Sequence, residues 1–239
     1  MKYSIIMLIH DNVVTTRNSI ERIHEYGDHP DSELFLIFNG VGERMRSVVM
    51  ENIPEFVFCK NVNIIDNKEN IGVIARNQAI DQCSGDYIVF IDNDVYVQPG
   101  FLIKLERFFQ YAGVGFVSAH GWRARVISDE FQLYKDDKLE KGSAIDVGSC
   151  SLAMYSIDNR NLLKLPVTFL QYGSDDIYIS FRLLEHGYSG ILSTWNNIAI
   201  HVGQAYGGIN CGKLYESNYS ITKREFMPKV NLLKFGGKE

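Results

Sequence analysis

Short apolar runs alternate with helix-period stretches through the first half of the chain. Continuous apolar segments predict strands over residues 4–9, 33–38, 62–65, 87–91 and 114–118. Between them, apolar positions recur at helical spacing around residues 15–26, 43–51, 71–82 and 100–111. Strands with no polar face must be covered on both sides, and helices placed between them supply that cover. The pattern predicts an α/β fold with a mostly parallel central sheet and helices on both faces. In such sheets ligands bind beyond the carboxyl ends of the strands, so chemistry is expected just after Ile9, Phe38, Ile65 and Ile91.

After about Ala119 the rhythm changes. Residues 135–141 read as a charged loop, and residues 144–155 as strand material interrupted by Gly148. Residues 175–186 carry apolar Ile177, Ile179, Phe181, Leu183 and Leu184 and stop at Gly187, which predicts a helix; a short strand follows at 198–202. No repeat or low-complexity linker divides the chain. A single domain is the simplest parse: a nucleotide-binding half at 1–118, an acceptor and catalytic half at 119–212, and a tail at 213–239.

Composition narrows the function classes. The 239 residues carry a formal net charge of −5, against the concentrated basic face that double-stranded nucleic acid requires. A bound cation can still reverse the sign of one pocket. Cys59, Cys83, Cys150 and Cys211 form no CxxC or Cys/His cluster, which disfavours zinc and a disulfide framework. The apolar run at 5–9 is too short for a signal peptide and no run reaches membrane-spanning length, so the chain is expected to be soluble and cytoplasmic. The tail holds six Lys/Arg against three acidic residues, with several aromatics. Such an end could rest peripherally on an anionic membrane, pack on its own domain, or form a dimer contact. Asn218-Tyr219-Ser220 is a formal glycosylation sequon.

Four short segments could carry chemistry. Asp92-Asn93-Asp94 follows the apolar strand directly, and two carboxylates at i and i+2 on a strand-ending turn can converge on Mn²⁺ or Mg²⁺ while Asn93 shapes the turn. An acidic turn capping a strand is the plain alternative. Asn70-Ile71-Gly72-Val73-Ile74-Ala75-Arg76-Asn77 reads as a capped helix start whose N–H groups favour an anion; Arg76 and Asn77 could reach a nucleotide or order the metal carboxylates. Gly173-Ser174-Asp175-Asp176 is either a helix cap or a source of a general base. His201, at a strand end before a glycine-rich stretch, is either structural or a third metal ligand.

Together and in this order, these segments resemble the inverting glycosyltransferases of family 2, with their GT-A fold. The resemblance rests on N-x-G-x-x-A-R-N at 70–77 and G-D-Y-I-V-F-I-D-N-D at 85–94. It continues through Asp175-Asp176 with Ser180, Arg182 and Gly187-Tyr188, to His201. It implies that Asp92 and Asp94 hold a metal and diphosphate, with Asp94 the more direct ligand and His201 a further one. It also implies that Asp176 is the catalytic base and that Asp175 stands where the family usually has Glu. The first strand ends in Leu8-Ile9-His10-Asp11, not the family's Pro-Thr-Tyr-Asn-like segment. Where an aspartate usually reads the nucleobase, Phe38-Asn39-Gly40 stands. Ile9, Asp11, Asn39, Asp66, Asn70 and Gly72 are thus the candidates for holding a nucleotide-sugar donor, with Arg76, Asn77 and Asn93 beside them.

These expectations amount to metal-dependent sugar transfer, with inversion, from a nucleotide diphosphate (a UDP-sugar by the resemblance) to a glycan or lipid-linked acceptor. Trp122, Tyr172 and Trp195 could stack on sugar or fill the core. Two other enzymes are weighed: a sugar nucleotidyltransferase wants a glycine-rich loop where His10-Asp11-Asn12-Val13 stands, and a dehalogenase-like phosphatase wants its D-x-D after the first strand. A binding protein that keeps the fold without the chemistry is the third alternative.

Overall fold

The computed structural model describes residues 2–27, 29, 31–52, 61–119, 121–127, 130–134, 145–169, 173–192, 198–202 and 211–230. Its centre is a seven-stranded sheet. In chain order the strands are β1 (Tyr3–Ile9), β2 (Glu33–Asn39), β3 (Asn61–Asn67), β4 (Tyr87–Asp92), β6 (Val114–Ser118), β10 (Leu152–Ser156) and β11 (Ser189–Leu192). They lie in the order β11-β6-β10-β4-β1-β2-β3. β1 pairs in parallel with β2 and β4, β2 with β3, and β6 with β11; β10 runs antiparallel to both β4 and β6. The mostly parallel sheet predicted from the apolar runs is present, with the five predicted strands within two residues of their observed ends.

The two-residue period of the strands sorts the core into two layers. One face carries Tyr3, Ile5, Met7, Leu34, Leu36, Val89, Ile91 and Met154, covered by Ile20 and Ile23 of α1 (Val13–Tyr26), Met45 and Val49 of α2 (Glu43–Asn52) and Phe101, Leu102 and Leu105 of α4 (Phe101–Glu106). The other carries Ile6, Phe35, Ile37, Ile88, Phe90, Phe116 and Tyr155. It is covered by the segment after Asn70, by α5 (Asp175–Glu185) and by Phe226 of α6 (Cys211–Val230). A polar edge strand, β3, closes one side: Asn61, Asn63, Asp66 and Asn67 blunt further pairing there.

One prediction needs correction. The helix expected at 71–82 is a 3-10 turn, Gly72–Arg76, followed by a four-residue α3, Asn77–Ile80. Gly72 sits at φ +75°, and the N–H of Ile71 is drawn to the Asn39 side chain rather than into a helix. The strand material expected within 144–155 is interrupted after Gly148, and its two pieces enter different sheets. β9 (Ile145–Gly148) joins β7 (Gly121–Ile127) and β8 (Glu130–Tyr134) in a separate three-stranded sheet, whereas β10 enters the main one. A third sheet pairs β5 (Val95–Val97) with β12 (Ala199–His201). The charged stretch at 135–141 and both Tyr172 and Trp195 lie outside the described residues. Trp122 packs partly buried against the core. Among the described residues no helix is long and apolar enough to cross a membrane.

Candidate active site

β4 delivers Asp92 to the carboxyl rim of the sheet, behind fully buried Val89, Phe90 and Ile91. The chain turns through Asn93-Asp94 and returns as β5, whose antiparallel pairing with β12 sets His201 opposite Val95. The Val202 N–H donates to the Asp94 carbonyl at 2.9 Å, closing the turn. Asp92, Asp94 and His201 thereby bring one ligand atom each within 4.8 Å of one another. His201 Nε2 lies 3.1 Å from Asp94 Oδ1, and this hydrogen bond raises the imidazole pKa against the opposing effect of burial. Two carboxylate oxygens and one imidazole nitrogen, on groups that reach solvent, suit a divalent cation such as Mn²⁺ or Mg²⁺ that keeps positions free for other oxygens.

Arg76 sits beside this triad. Its side chain is almost wholly buried, with its guanidinium 5.3 Å above the Phe90 ring. Nη2 donates to Asp92 Oδ1 at 2.7 Å and Nη1 to Asp175 Oδ2. Burial pulls the guanidinium pKa down, but the flanking carboxylates of Asp175 and Asp92 more than offset it and raise it above the usual value. One cation thus joins the acid pair at the end of β4 to the acid pair that opens α5. Burial pushes the Asp92 carboxyl up to about 6 against the lowering effect of Arg76, with Asp94 and Asp175 adding to the rise.

The start of α5 is not an ordinary cap. Ser174 occupies the cap position at φ 63°, its hydroxyl accepts no helix N–H, and that buried oxygen has no hydrogen-bond partner. Asp175, which a plain cap would leave in water, is buried on Arg76. Asp176 is half-buried, and its Oδ1 accepts from the Ile177 N–H at 2.8 Å. Desolvation, and then the neighbouring Asp175 charge, push its carboxyl up to about 7. A carboxyl group titrating near neutrality at the rim of a cation seat can accept a proton without being permanently ionised or permanently neutral.

The remaining candidates fall into two groups. Asn39 lies on the rim, 1% exposed, with both ends of its amide occupied. Its Nδ2 donates to Asn70 Oδ1 at 2.8 Å and to the Gly72 carbonyl at 3.1 Å, and its Oδ1 accepts from the Ile71 N–H at 3.1 Å. Asn70 Oδ1 also accepts from the Gly72 N–H, so the N–H groups expected to cradle an anion are already taken by side chains. His10 joins this network through Asn70 and the Asn39 carbonyl. Asp66 is paired with Arg46, which holds its carboxyl below the usual range. Ile9 is fully buried and Asp11 is exposed at the same rim. Two further candidates are ties. Asn77 exchanges two hydrogen bonds with Leu165, at 2.8 and 2.9 Å, and Asn93 Nδ2 binds the Asp11 carbonyl and Thr16 Oγ1, fastening the acidic turn to α1.

A family model described as "Glycosyl transferase family 2" matches residues 4–169, from β1 through the acidic turn to the loop before α5. The chain belongs to this family.

The chain has the GT-A fold. A mannosyltransferase from Pyrobaculum calidifontis, in complex with GDP-Man and Mn²⁺, superposes with a TM-score of 0.68 at 15% identity, over 99% of this chain and 65% of its own. GalNAc-T7 with UDP, GalNAc and Mn²⁺ gives 0.60 at 11% identity, over 82% of this chain and 44% of its own. S. aureus TarS gives 0.59 at 11% identity, over 86% and 37%. The chain thus spans less than two thirds of the length of each. No curated protein matches the sequence.

Some residues that build the candidate site carry no sequence signal of their own. The turn before β10 forms its floor: the Asp92 N–H donates to the Ser151 carbonyl at 2.9 Å, and Ser118 Oγ bonds the Ser149 and Leu152 carbonyls at 3.1 Å each. Cys150, buried in the same turn, has its thiol pushed well up by desolvation. Its Sγ lies 3.6 Å from the Tyr155 hydroxyl. Neither Cys150 nor the serines sit in a recognisable motif, because their role depends on a turn between two different sheets.

Proposed function

We propose that this chain moves a sugar from a nucleotide-diphosphate donor onto a hydroxyl of a glycan or lipid-linked acceptor, with inversion at the anomeric carbon. The observation that carries the reading is Arg76, which ties the cation seat of Asp92, Asp94 and His201 to the Asp175-Asp176 pair through one buried guanidinium. A cation seat and a carboxyl group titrating near neutrality, fixed at one rim, are the two parts such a transfer needs.

Asp92, Asp94 and His201 would hold Mn²⁺ or Mg²⁺, which supplies positive charge to the departing diphosphate. The mannosyltransferase with GDP-Man and GalNAc-T7 with UDP both carry Mn²⁺, which supports the assignment. Arg76 holds the Asp92 and Asp175 carboxylates in place through its two ion pairs. In its ionised form Asp176 takes the proton of the acceptor hydroxyl at a carboxylate oxygen. Attack from the face opposite the diphosphate inverts the configuration, and the anomeric carbon gains oxocarbenium character on the way. The donor base meets a rim in which Asn39 is already satisfied, so base selection falls to other groups there, with His10 and Asp11 the exposed ones.

The test is a donor-hydrolysis screen across UDP-, GDP- and dTDP-sugars with and without Mn²⁺, followed by NMR of the transferred sugar. One donor cleaved with metal dependence and an inverted product are expected. No cleavage of any donor, or retained stereochemistry, would sink the reading.

A further inference from the structure

The family match ends at residue 169, yet the acid pair assigned to proton transfer lies beyond it, at the head of α5. What holds that head in place is α6. Along most of their length the two helices pack in an ordinary way. Phe226 is fully buried, its ring 5.3 Å from that of Tyr178 and 5.6 Å from that of Phe181. The Tyr178 hydroxyl donates to Glu225 at 3.1 Å, and Lys229 Nζ lies 2.8 Å from Glu185 Oε1. These contacts fix the body of α5, not its first residues.

One contact is different. Asn218 is fully buried, and its Nδ2 donates to the Gly173 carbonyl at 2.9 Å. Gly173 and Ser174 are consecutive left-handed residues, at φ 81° and 63°. For serine this conformation is costly, and it persists only where the surroundings enforce it. Ser174 cannot enforce it by its own side chain, since that hydroxyl has no partner. Its carbonyl accepts from the Tyr178 N–H at 3.0 Å and so begins the helix. Two anchors therefore bracket the segment, Asn218 on the Gly173 carbonyl before it and Arg76 on the Asp175 carboxylate after it. Thr222, also buried, donates to the Asn218 carbonyl at 3.0 Å and stiffens the turn of α6 that presents the amide.

We infer that Asn218 is a positioning residue for the transfer reaction: its amide pins the Gly173 carbonyl, so that the left-handed pair turns Asp175 onto Arg76 and leaves Asp176 facing the acceptor. The inference rests on the assignment of Asp176 as the base. It gives a segment outside the family match a direct part in the chemistry. It also accounts for the sequon at 218–220, whose asparagine serves the interior and has no exposure for a glycan.

The experiment uses the full chain and four variants: Asn218→Ala, Asn218→Ser, Glu225→Gln and Asp176→Asn. Each is measured for thermal unfolding, for binding of UDP and GDP with Mn²⁺, and for steady-state hydrolysis of a UDP-, GDP- and dTDP-sugar panel. Misplacing a catalytic group costs about tenfold to 10²-fold in kcat, so Asn218→Ala is expected to fall in that range. Donor KM and nucleotide affinity should stay at the wild-type values. Glu225→Gln loosens the same helix pair away from Gly173, and should lower Tm without lowering kcat. If Asn218→Ala does not fold, Asn218→Ser, whose hydroxyl is too short to span the gap, is read in its place. Wild-type kcat in the Asn218 variants, or an equal kcat loss in Glu225→Gln at equal Tm loss, overturns the inference while Asp176→Asn remains inactive. Full turnover in Asp176→Asn removes the base assignment itself, and this inference with it.

Discussion

The two sides of Arg76 are built on opposite principles. Towards the donor rim, both ends of the Asn39, Asn67, Asn70 and Gln78 amides are bonded to one another, to His10 or to backbone groups, and Asn93 Nδ2 is held by the Asp11 carbonyl and Thr16 Oγ1. Towards the acceptor, Ser174 is strained and its buried hydroxyl is unsatisfied, and Arg76 Nε is likewise without a partner. Buried polar groups are normally paired, so a saturated network marks a rigid support, whereas orphaned atoms and strain mark places where function overrides stability. The donor side therefore reads as scaffold around the cation seat, and the acceptor side as the part whose geometry is held against its own preference.

The sharpest way to break this contrast is Asp176→Asn. Removing a general base costs about 10²- to 10⁴-fold in turnover, and nucleotide binding with Mn²⁺ should be unchanged by calorimetry. Substantial residual turnover would make the head of α5 a mere helix start. Next comes Arg76→Met, which leaves buried Asp175 and partly exposed Asp92 without their cation. Breaking a buried pair in this way destabilises by about 3–5 kcal/mol, readable in denaturant unfolding, and wild-type stability would show that the guanidinium does not bridge the two sides. Asp94→Ala should weaken Mn²⁺-dependent nucleotide affinity by roughly 10- to 100-fold; unchanged affinity would dissolve the cation seat.

A pH experiment sharpens the contrast further. Asp176 must be ionised to act and titrates at about 7, so kcat/KM should fall as pH drops through that value. Asp175 raises that pKa by its charge, and Asp175→Asn should therefore move the acid limb to lower pH. A limb that does not move would assign it to another group. The smallest effect is expected at Asn39→Ala: a loss of about 1–3 kcal/mol from the orphaned partners, with the order of donor preference unchanged. A switch in base preference would return Asn39 to the recognition site.

Legibility in the sequence followed the range of the interactions. Residues 4–9 and 87–91 were readable as strands because burial on both faces writes itself as an unbroken apolar run. The segment after Asn70 was not, because a side chain from β2 competes for the Ile71 N–H and no local pattern records that. β7 and β8 alternate apolar and polar residues at period two, a weaker trace than an unbroken apolar run, and three-residue β5 is too short to show a period. In the site, Asp92, Asp94 and His201 could be named from spacing and strand placement. Arg76 was a candidate for ordering the metal carboxylates, but its reach to Asp175, 99 positions away, was invisible. Asn218 was read as a sequon, since a hydrogen bond to a backbone carbonyl leaves no trace in residue type.

The reversed strand β10 has a mechanical consequence. Among the described residues it alone is laddered to both β4 and β6, through five register pairs on one flank and three on the other. Within the hydrogen-bonded ladder of the main sheet, the β1–β4 block and the β6–β11 block meet through this five-residue seam. The turn that enters the seam is also the floor beneath Asp92, so a slip of the seam by one position would be felt first at the acidic turn, before either block lost its own pairing.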